Sequence, residues 1–425
     1  MDVNTSVSPD LRRTLAQRAC LPSIAALAML VACAAPAAAQ SVPSGSGLRA
    51  AVDSAWHRAL ESAEADSDVL RAAANRTAAQ ALVPASPALE LSQRDERWAA
   101  ERASSAGRET ELAAAWPLWL PGQRALRAAA ADAQSNAADA AIALGRWQVA
   151  GLVREAAWRI ASGRDALRQA ELQQQTLERL SSDVERRVRA GDLARADALA
   201  AQAEALGAAT ATADARLRLA EAERQWTLLT ALPPPAGGRP AESPAASPPP
   251  LEAHPAWRHA ESRREQARRE QAAVLQDRRD PPELLLRYRQ EAGAGDTRNS
   301  IGLGMRIPFG SDARNRPLEA QATGAVLVAE RRLARLRDRL AVELALAADA
   351  REAAQQRLRD DEQRAALARE RAQLSQRAFD AGEFGLPELL RTLSAAAAAQ
   401  ADLERSQAAL GLARARLLQA QGLMP

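Results

Sequence analysis

Lysine is absent from this chain of 425 residues, so all 56 basic residues are arginine. With alanine so abundant, this reads as codon bias rather than chemistry. Cysteine occurs twice, as Cys20 and Cys33, both within the first forty residues. Everything after them can form neither a disulfide nor a thiolate metal site. Histidine occurs three times. His57 lies in a helical pattern with no partner at ligand spacing. His254 and His259 are five residues apart, which suits neither one helix face nor a chelate, and His254 before Pro255 reads as a helix cap. No metal site and no cofactor site follow from these. Aromatic residues make up 3% of the chain, too few for the two or three globular cores that its length would suggest. The net charge is only +3, with both signs mixed along the helical stretches. A nucleic-acid partner needs a concentrated basic face, and none is present. No Ser, His and Asp set, metal cluster or phosphate loop stands out. Gly302 and Gly304 lie inside a strand pattern, where they relieve crowding or allow bending. The chain does not read as an enzyme.

What remains is rich in Ala and Leu with Glu, Gln and Arg, all strong helix formers. It begins with a targeting segment, residues 1–39. Arg12, Arg13 and Arg18 form a basic start, and Ile24 to Val31 is an apolar run too short to span a bilayer. Ala37-Ala38-Ala39 before Gln40 fits a small-residue cleavage site. A second reading overlaps it: Leu30-Val31-Ala32-Cys33 resembles a bacterial lipobox, which would lipidate Cys33. Either way the chain is exported.

Beyond that segment the pattern divides into seven parts. Residues 40–83 are helical, with Val52, Trp56, Leu60, Val69 and Leu82 as a sparse stripe. Residues 84–120 hold two strands, Ala88 to Trp98 and Glu109 to Leu118, around a loop at 99–108. In the second, Thr110, Leu112, Ala114, Trp116 and Leu118 share one face. Residues 121–232 form a long helical hairpin, its first arm running from Gln123 to Arg189 and spanning roughly 100 Å. Leu177, Leu180, Val184 and Val188 mark a coiled-coil seam there. Arg189-Ala190-Gly191-Asp192 interrupts it, with Gly191 as a helix cap. Residues 233–253 are proline-rich and predict a semi-rigid surface linker with no regular element. Residues 254–280 are helical. Residues 281–310 hold two more strands, the second read in NSIGLGMRIPFG. Ile301, Leu303, Met305, Ile307 and Phe309 alternate there with Gly302, Gly304 and Arg306, apolar on one face only. Residues 311–425 form another helical hairpin broken at Ala381-Gly382-Glu383. Its first arm has a seam of Leu333, Leu336, Leu340 and Leu344. Its second carries Leu389, Ala396, Leu403, Leu410 and Leu417 at seven-residue spacing.

The two halves echo each other. Pro117 and Pro308 are 191 residues apart, and so are Gly191 and Gly382, Asp192 and Glu383, and Asp197 and Glu388. A duplicated unit of helix, strand, strand, long helix and helix follows. Each strand is about 9–11 residues with one apolar face, the size of a tilted membrane-crossing strand. Four strands cannot close a barrel, and lipid tolerates no open edge. Several copies must therefore share one barrel, continued on one side by helices.

The signal segment, the duplicated unit, the strand-ending Pro308-Phe309-Gly310 and the Gly-acid turns together resemble the TolC-like family of outer-membrane efflux proteins. WPLWLPGQRALR at 116–127 and HPAWRHAESR at 254–263 look closest to the outer-membrane components of heavy-metal exporters of the cobalt-zinc-cadmium type. The resemblance covers essentially all of the chain after the targeting segment. It implies a mainly α chain with a small β part, assembled as a homotrimer. Three copies would share a twelve-stranded barrel in outer-membrane lipid and a helical tube through the periplasm of a Gram-negative cell. It also implies two partners, an inner-membrane pump and a periplasmic adaptor, for which this chain is the passive exit. In the family the distal helix turns form the entrance and meet the adaptor. Here these are Arg189, Gly191 and Asp192 with Asp197, and Gly382 and Glu383 with Glu388. Family entrances often carry a second acid one turn beyond Glu388, and this chain has Arg391 instead. A Glu388–Arg391 pair would either tie the entrance or stand as a solvated surface pair, and Arg391 speaks against a strongly cation-attracting acidic ring. Trp116, Pro117, Pro308, Phe309 and Gly310 would mark the junction of barrel and tube. Trp119 either joins Trp116 at the membrane interface or packs between helices. Two other readings remain: an outer-membrane factor for drugs or secreted proteins, and a periplasmic structural coiled coil.

Overall fold

The computed structural model describes residues 44–425, except 101–102, 243–246, 294 and 310–311. The targeting segment with Cys33, and Gly310 of the expected junction, lie outside these residues.

Long stretches of good helix formers become long helices. Helix α3 runs Gln123–Ala190 and α4 runs Arg195–Thr230. Helix α6 runs Asp312–Asp380 and α7 runs Leu386–Ala420. Each pair is joined by a turn closed in the same way. Gly191 takes a left-handed φ of 87°, and the N–H groups of Gly191 and Asp192 bond Val188 O and Arg187 O. Gly382 takes φ 78°, and the N–H groups of Gly382 and Glu383 bond Phe379 O and Ala378 O. A side chain at either glycine would be strained in that conformation.

The interhelical seams are built from alanine at seven-residue intervals. Ala201, Ala208, Ala215 and Ala222 of α4 are buried, as are Ala365, Ala372 and Phe379 of α6. This is the coiled-coil spacing, and the small side chains let the helix axes come close. On α3, Leu177, Leu180 and Val184 are buried, with Val188 partly so. On α6 the expected seam departs after Leu340. Leu344 is exposed, and the buried series is instead Val326, Leu333 and Leu340. A strict seven-residue step thus replaces the drifting one.

The N-terminal helical stretch, expected as one helix, is two. Helix α1 (Ser44–Arg58) and α2 (Leu60–Gln80) are separated by Ala59, which is extended at φ −70° and ψ 141°. The break serves two different packings. Helix α1 buries Leu48, Val52 and Trp56 in a cluster with Val149, Val153 and Ile160 of α3 and Trp226 of α4. Helix α2 lies along α3 on a lean stripe of Ala65, Ala72 and Ala79.

Four antiparallel strands form one sheet in the order β1-β2-β3-β4: β1 Ala88–Ala100, β2 Ala103–Pro117, β3 Glu283–Gly293 and β4 Asp296–Arg306. The loop expected at 99–108 is largely strand, because the β1–β2 ladder continues to the pair Ala100 and Ala103. Its Ala, Ser and Gly residues have no strand pattern of their own. The register set lower down by Leu91 opposite Leu112 carries them. Strand β4 ends at Arg306 rather than at Phe309, since Pro308 has no N–H for the ladder.

Helix α5 (Pro255–Gln276) packs between α3 and α6, and a single 3-10 turn, Leu251–Ala253, precedes it. The proline-rich segment before that turn is not a loose linker. Arg239 donates to Asp165 Oδ2 of α3 at 2.9 Å and to Glu404 Oε2 of α7 at 2.6 Å. Glu242 receives Arg154 of α3 in three hydrogen bonds of 2.7–3.1 Å. The segment is a strap across α3 and α7.

Candidate functional site: the sheet faces and the helix turns

The pleat sorts the sheet into two unlike faces. Leu89, Leu91, Leu112, Leu286, Tyr288, Ile301, Leu303 and Met305 are all exposed. The register puts them on the same side: Leu112 pairs Tyr288, which pairs Ile301, and Leu286 pairs Leu303. Ile301 and Leu303 are 78% and 76% exposed, a degree of apolar exposure that calls for a partner phase. Ile301 to Met305 covers about 13 Å of strand. Ile307 and Phe309 prolong the stripe past the strand end. Above it Gln93, Thr110, Gln290 and Asn299 form a polar row, so the apolar band is shallower than the roughly 25 Å of a typical outer-membrane barrel.

The other face is charged and internally paired. Arg287 meets Glu111 at 3.5 Å, Arg289 meets Glu109 at 2.9 Å and Arg306 meets Glu283 at 3.0 Å. Gly302 and Gly304 lie on this side, opposite Arg287 and Leu285.

Where strand becomes helix, a polar knot joins the two halves of the chain. Leu118 donates its N–H to Pro282 O at 2.7 Å. Gln123, 1% exposed, accepts from Leu120 N at 3.1 Å and donates to Asp277 Oδ1 at 2.7 Å. Arg127 donates through Nε and Nη2 to Asp277 Oδ2 at 3.1 and 2.8 Å. Asp277 therefore ties the end of α5 to the start of α3. The pattern reading missed all three residues, because a lone polar residue at a helix end has no periodic signature. Trp119 packs between helices: its Nε1 donates to Ala81 O at 3.0 Å, with the Arg127 guanidinium 5.4 Å from its ring. Trp116 and Phe309 are exposed, Phe309 to 92%. Pro117 is the last residue of β2, and Pro308 lies just past β4.

At the far end the two helix turns come together over one apolar cluster. Leu177, Leu180 and Val184 of α3 meet Phe379 of α6 and Leu386, Leu389 and Leu390 of α7. Arg187 bridges the hairpins. Its Nη2 is 3.3 Å from Asp380 Oδ1, its guanidinium lies 4.9 Å from the Phe379 ring centre, and Asp183 holds its Nε at 3.1 Å. Neither Arg187 nor Asp380 stood out in the sequence. Of the residues that did, Arg189, Asp192 and Glu383 are exposed beside the turns. Arg189 reaches no further than Glu185 O of its own helix. Asp197 caps α4 by accepting from Ala194 N at 3.2 Å. Glu388 is held by Arg391 at 2.7 Å, as its spacing suggested, and also by Arg371 of α6 at 3.3 Å.

His254 is 3% exposed and caps α5, its Nδ1 accepting from Ala256 N at 3.1 Å. Burial lowers its pKa, which favours the neutral ring whose Nδ1 accepts that bond. Among the described residues no three His, Cys, Asp or Glu side chains gather as a metal site would require, and no helix is long and apolar enough to cross a membrane.

No family model and no curated protein sequence matches the chain. Solved structures do. The outer membrane protein VceC of Vibrio cholerae superposes with a TM-score of 0.70 at 15% identity, over 89% of this chain and 97% of that one. The CmeC outer membrane channel of Campylobacter jejuni gives 0.67 at 13%, over 88% and 85%. The MtrE outer membrane channel of Neisseria gonorrhoeae, in its open state, gives 0.66 at 18%, over 88% and 89%. The chain has the fold of these outer-membrane proteins along nearly its whole length.

Proposed function

We propose that the protein is a passive outer-membrane duct, the exit component of a tripartite export system. An inner-membrane pump and a periplasmic adaptor would supply energy and selection, and metal cations or small toxic compounds would be the cargo. The observation that carries this is the two-faced sheet, apolar and exposed on one side, charged on the other, with strands β1 and β4 as open edges. A bilayer satisfies the first face and water in a lumen the second. Only further copies of the chain satisfy the edges. Three copies would give a twelve-stranded barrel, and the shared order of elements in the two halves fits a duplicated stave. A free periplasmic coiled coil would need no such sheet.

Fractionation tests this reading. The full chain is expected in the outer membrane as an oligomer that survives detergent without heating, and recovery as a soluble periplasmic rod would refute it.

On the same reading the meeting of the two turns is the narrow end of the duct, where Arg187 and Asp380 join hairpins that must part for the duct to widen. Arg187→Ala is expected to raise single-channel conductance in planar bilayers. Stability should fall by about 1 kcal/mol, because Asp380 is exposed and Arg187 is only partly buried. Unchanged conductance would remove Arg187 from any closing role.

A further inference from the structure

The side of α3 that carries Ala150, Val153 and Ala157 is covered by α1, and Arg164 next to it by the strap. The opposite side of the helix lines an open space. There α3, α4 and α7 leave an open groove of about 760 Å³. Its floor is apolar, made by Trp158, Ala408 and Leu412. Trp158 is seated edge-on over Gly411 of α7, where any side chain would collide with the indole ring. Four arginines and two carboxylates surround the floor.

The charges do not cancel. Glu155 is taken by Arg416 at 3.1 Å, and Asp402 beside the groove holds Arg405. Glu221 accepts from the Gln225 amide at 3.2 Å. Among the described residues Arg159 donates only to the neutral oxygen of that same amide. Arg218 is exposed and has no ion-pair partner among the described residues. The indole N–H of Trp158 also has no acceptor among the described residues, but it is shut off from the groove. The groove thus sets four guanidinium groups against the carboxylates of Glu155 and Glu221, and Arg159 and Arg218 have no carboxylate in contact among the described residues, over an apolar floor.

An apolar body bearing one carboxylate answers both the excess positive charge and the apolar floor. Guanidinium groups bind carboxylates through paired charge-assisted hydrogen bonds, and a ring would lie on the Trp158 and Leu412 floor. We infer that the groove is a binding station for aromatic or alicyclic monocarboxylates moving along the duct wall. This rests on the duct reading and narrows its cargo to organic anions.

The test uses the full chain in lipid nanodiscs and calorimetric titration with 2-naphthoate. Its cationic counterpart of the same shape, 2-naphthylmethylammonium, is titrated in parallel. At low salt 2-naphthoate is expected to bind and the ammonium not. The double variant Arg159→Gln and Arg218→Gln should weaken naphthoate binding about tenfold or more, with an unchanged unfolding midpoint as the check on folding. Arg224→Gln, on α4 outside the groove, should leave the affinity as it is. No binding of naphthoate, equal binding of the ammonium, or equal affinity in the double variant would each overturn the inference. Conductance of the unaltered protein in planar bilayers is measured alongside. Its absence would refute the duct while naphthoate binding still stood.

Discussion

Leu303→Arg is expected to strip the protein of its place in the membrane, while Ser300→Arg three residues away on β4 leaves it there. The two side chains leave the strand on opposite faces. Leu303 is 76% exposed and sits in the register of Leu286, inside the apolar stripe. Ser300 is paired with Arg289 on the charged face. A charged residue on the lipid face of a barrel costs about 2–4 kcal/mol at mid-depth and little near the edges. In an assembly of several copies that cost recurs in each. Because the apolar band is short, one arginine removes a large share of it. The measurement is the amount of heat-modifiable oligomer in the outer-membrane fraction. Equal losses from both substitutions would mean only that the sheet is fragile. Equal survival would mean that this face does not meet lipid, and the duct reading would fall with it.

Glu242→Ala should produce the largest loss of stability among single ion-pair changes. Arg154 is 2% exposed and its partner Glu242 only 10%. The guanidinium also donates to Gln419 and, at 2.9 Å, to Leu423 O. Removing the carboxylate leaves a buried cation with neutral acceptors alone, which costs about 3–5 kcal/mol. Replacing both members by apolar residues of similar volume, Arg154→Met with Glu242→Leu, should recover most of that loss. The damage comes from the orphaned charge rather than from the missing attraction. For comparison, Glu343→Ala breaks an exposed pair with Arg339 and should cost about 0.3–0.5 kcal/mol. Thermal unfolding in detergent reads the midpoints, and limited proteolysis reads whether the 233–253 strap has come loose. A strap that stays protected in Glu242→Ala, at an unchanged midpoint, would show that Arg239 and Arg164 suffice to hold it.

The same arginine-rich composition that hides these pairs in the sequence explains why they were not foreseen. With 56 arginines and 53 acids, almost every residue has a plausible partner within a few positions. Glu388 and Arg391 could be paired in advance because three residues along a helix fix the distance. Arg154 with Glu242, and Arg187 with Asp380, are 88 and 193 residues apart, and no local spacing points from one to the other. The Ala59 break is similarly silent, since alanine is an excellent helix former. It opens because α1 has large side chains to bury and α2 has only small ones.

The local periods belonged to the sequence itself. Alternation made the strands, seven-residue spacing made the helical hairpins, and Gly191 and Gly382 placed their turns, because backbone geometry alone maps those spacings onto faces and ends. Only the tertiary structure decided which arginines are buried, that the proline-rich strap is pinned across α3 and α7, and that a groove on α3 is left with more guanidinium groups than carboxylates. Burial, not proximity along the chain, sets the strength of a charge, and burial exists only once distant helices have packed.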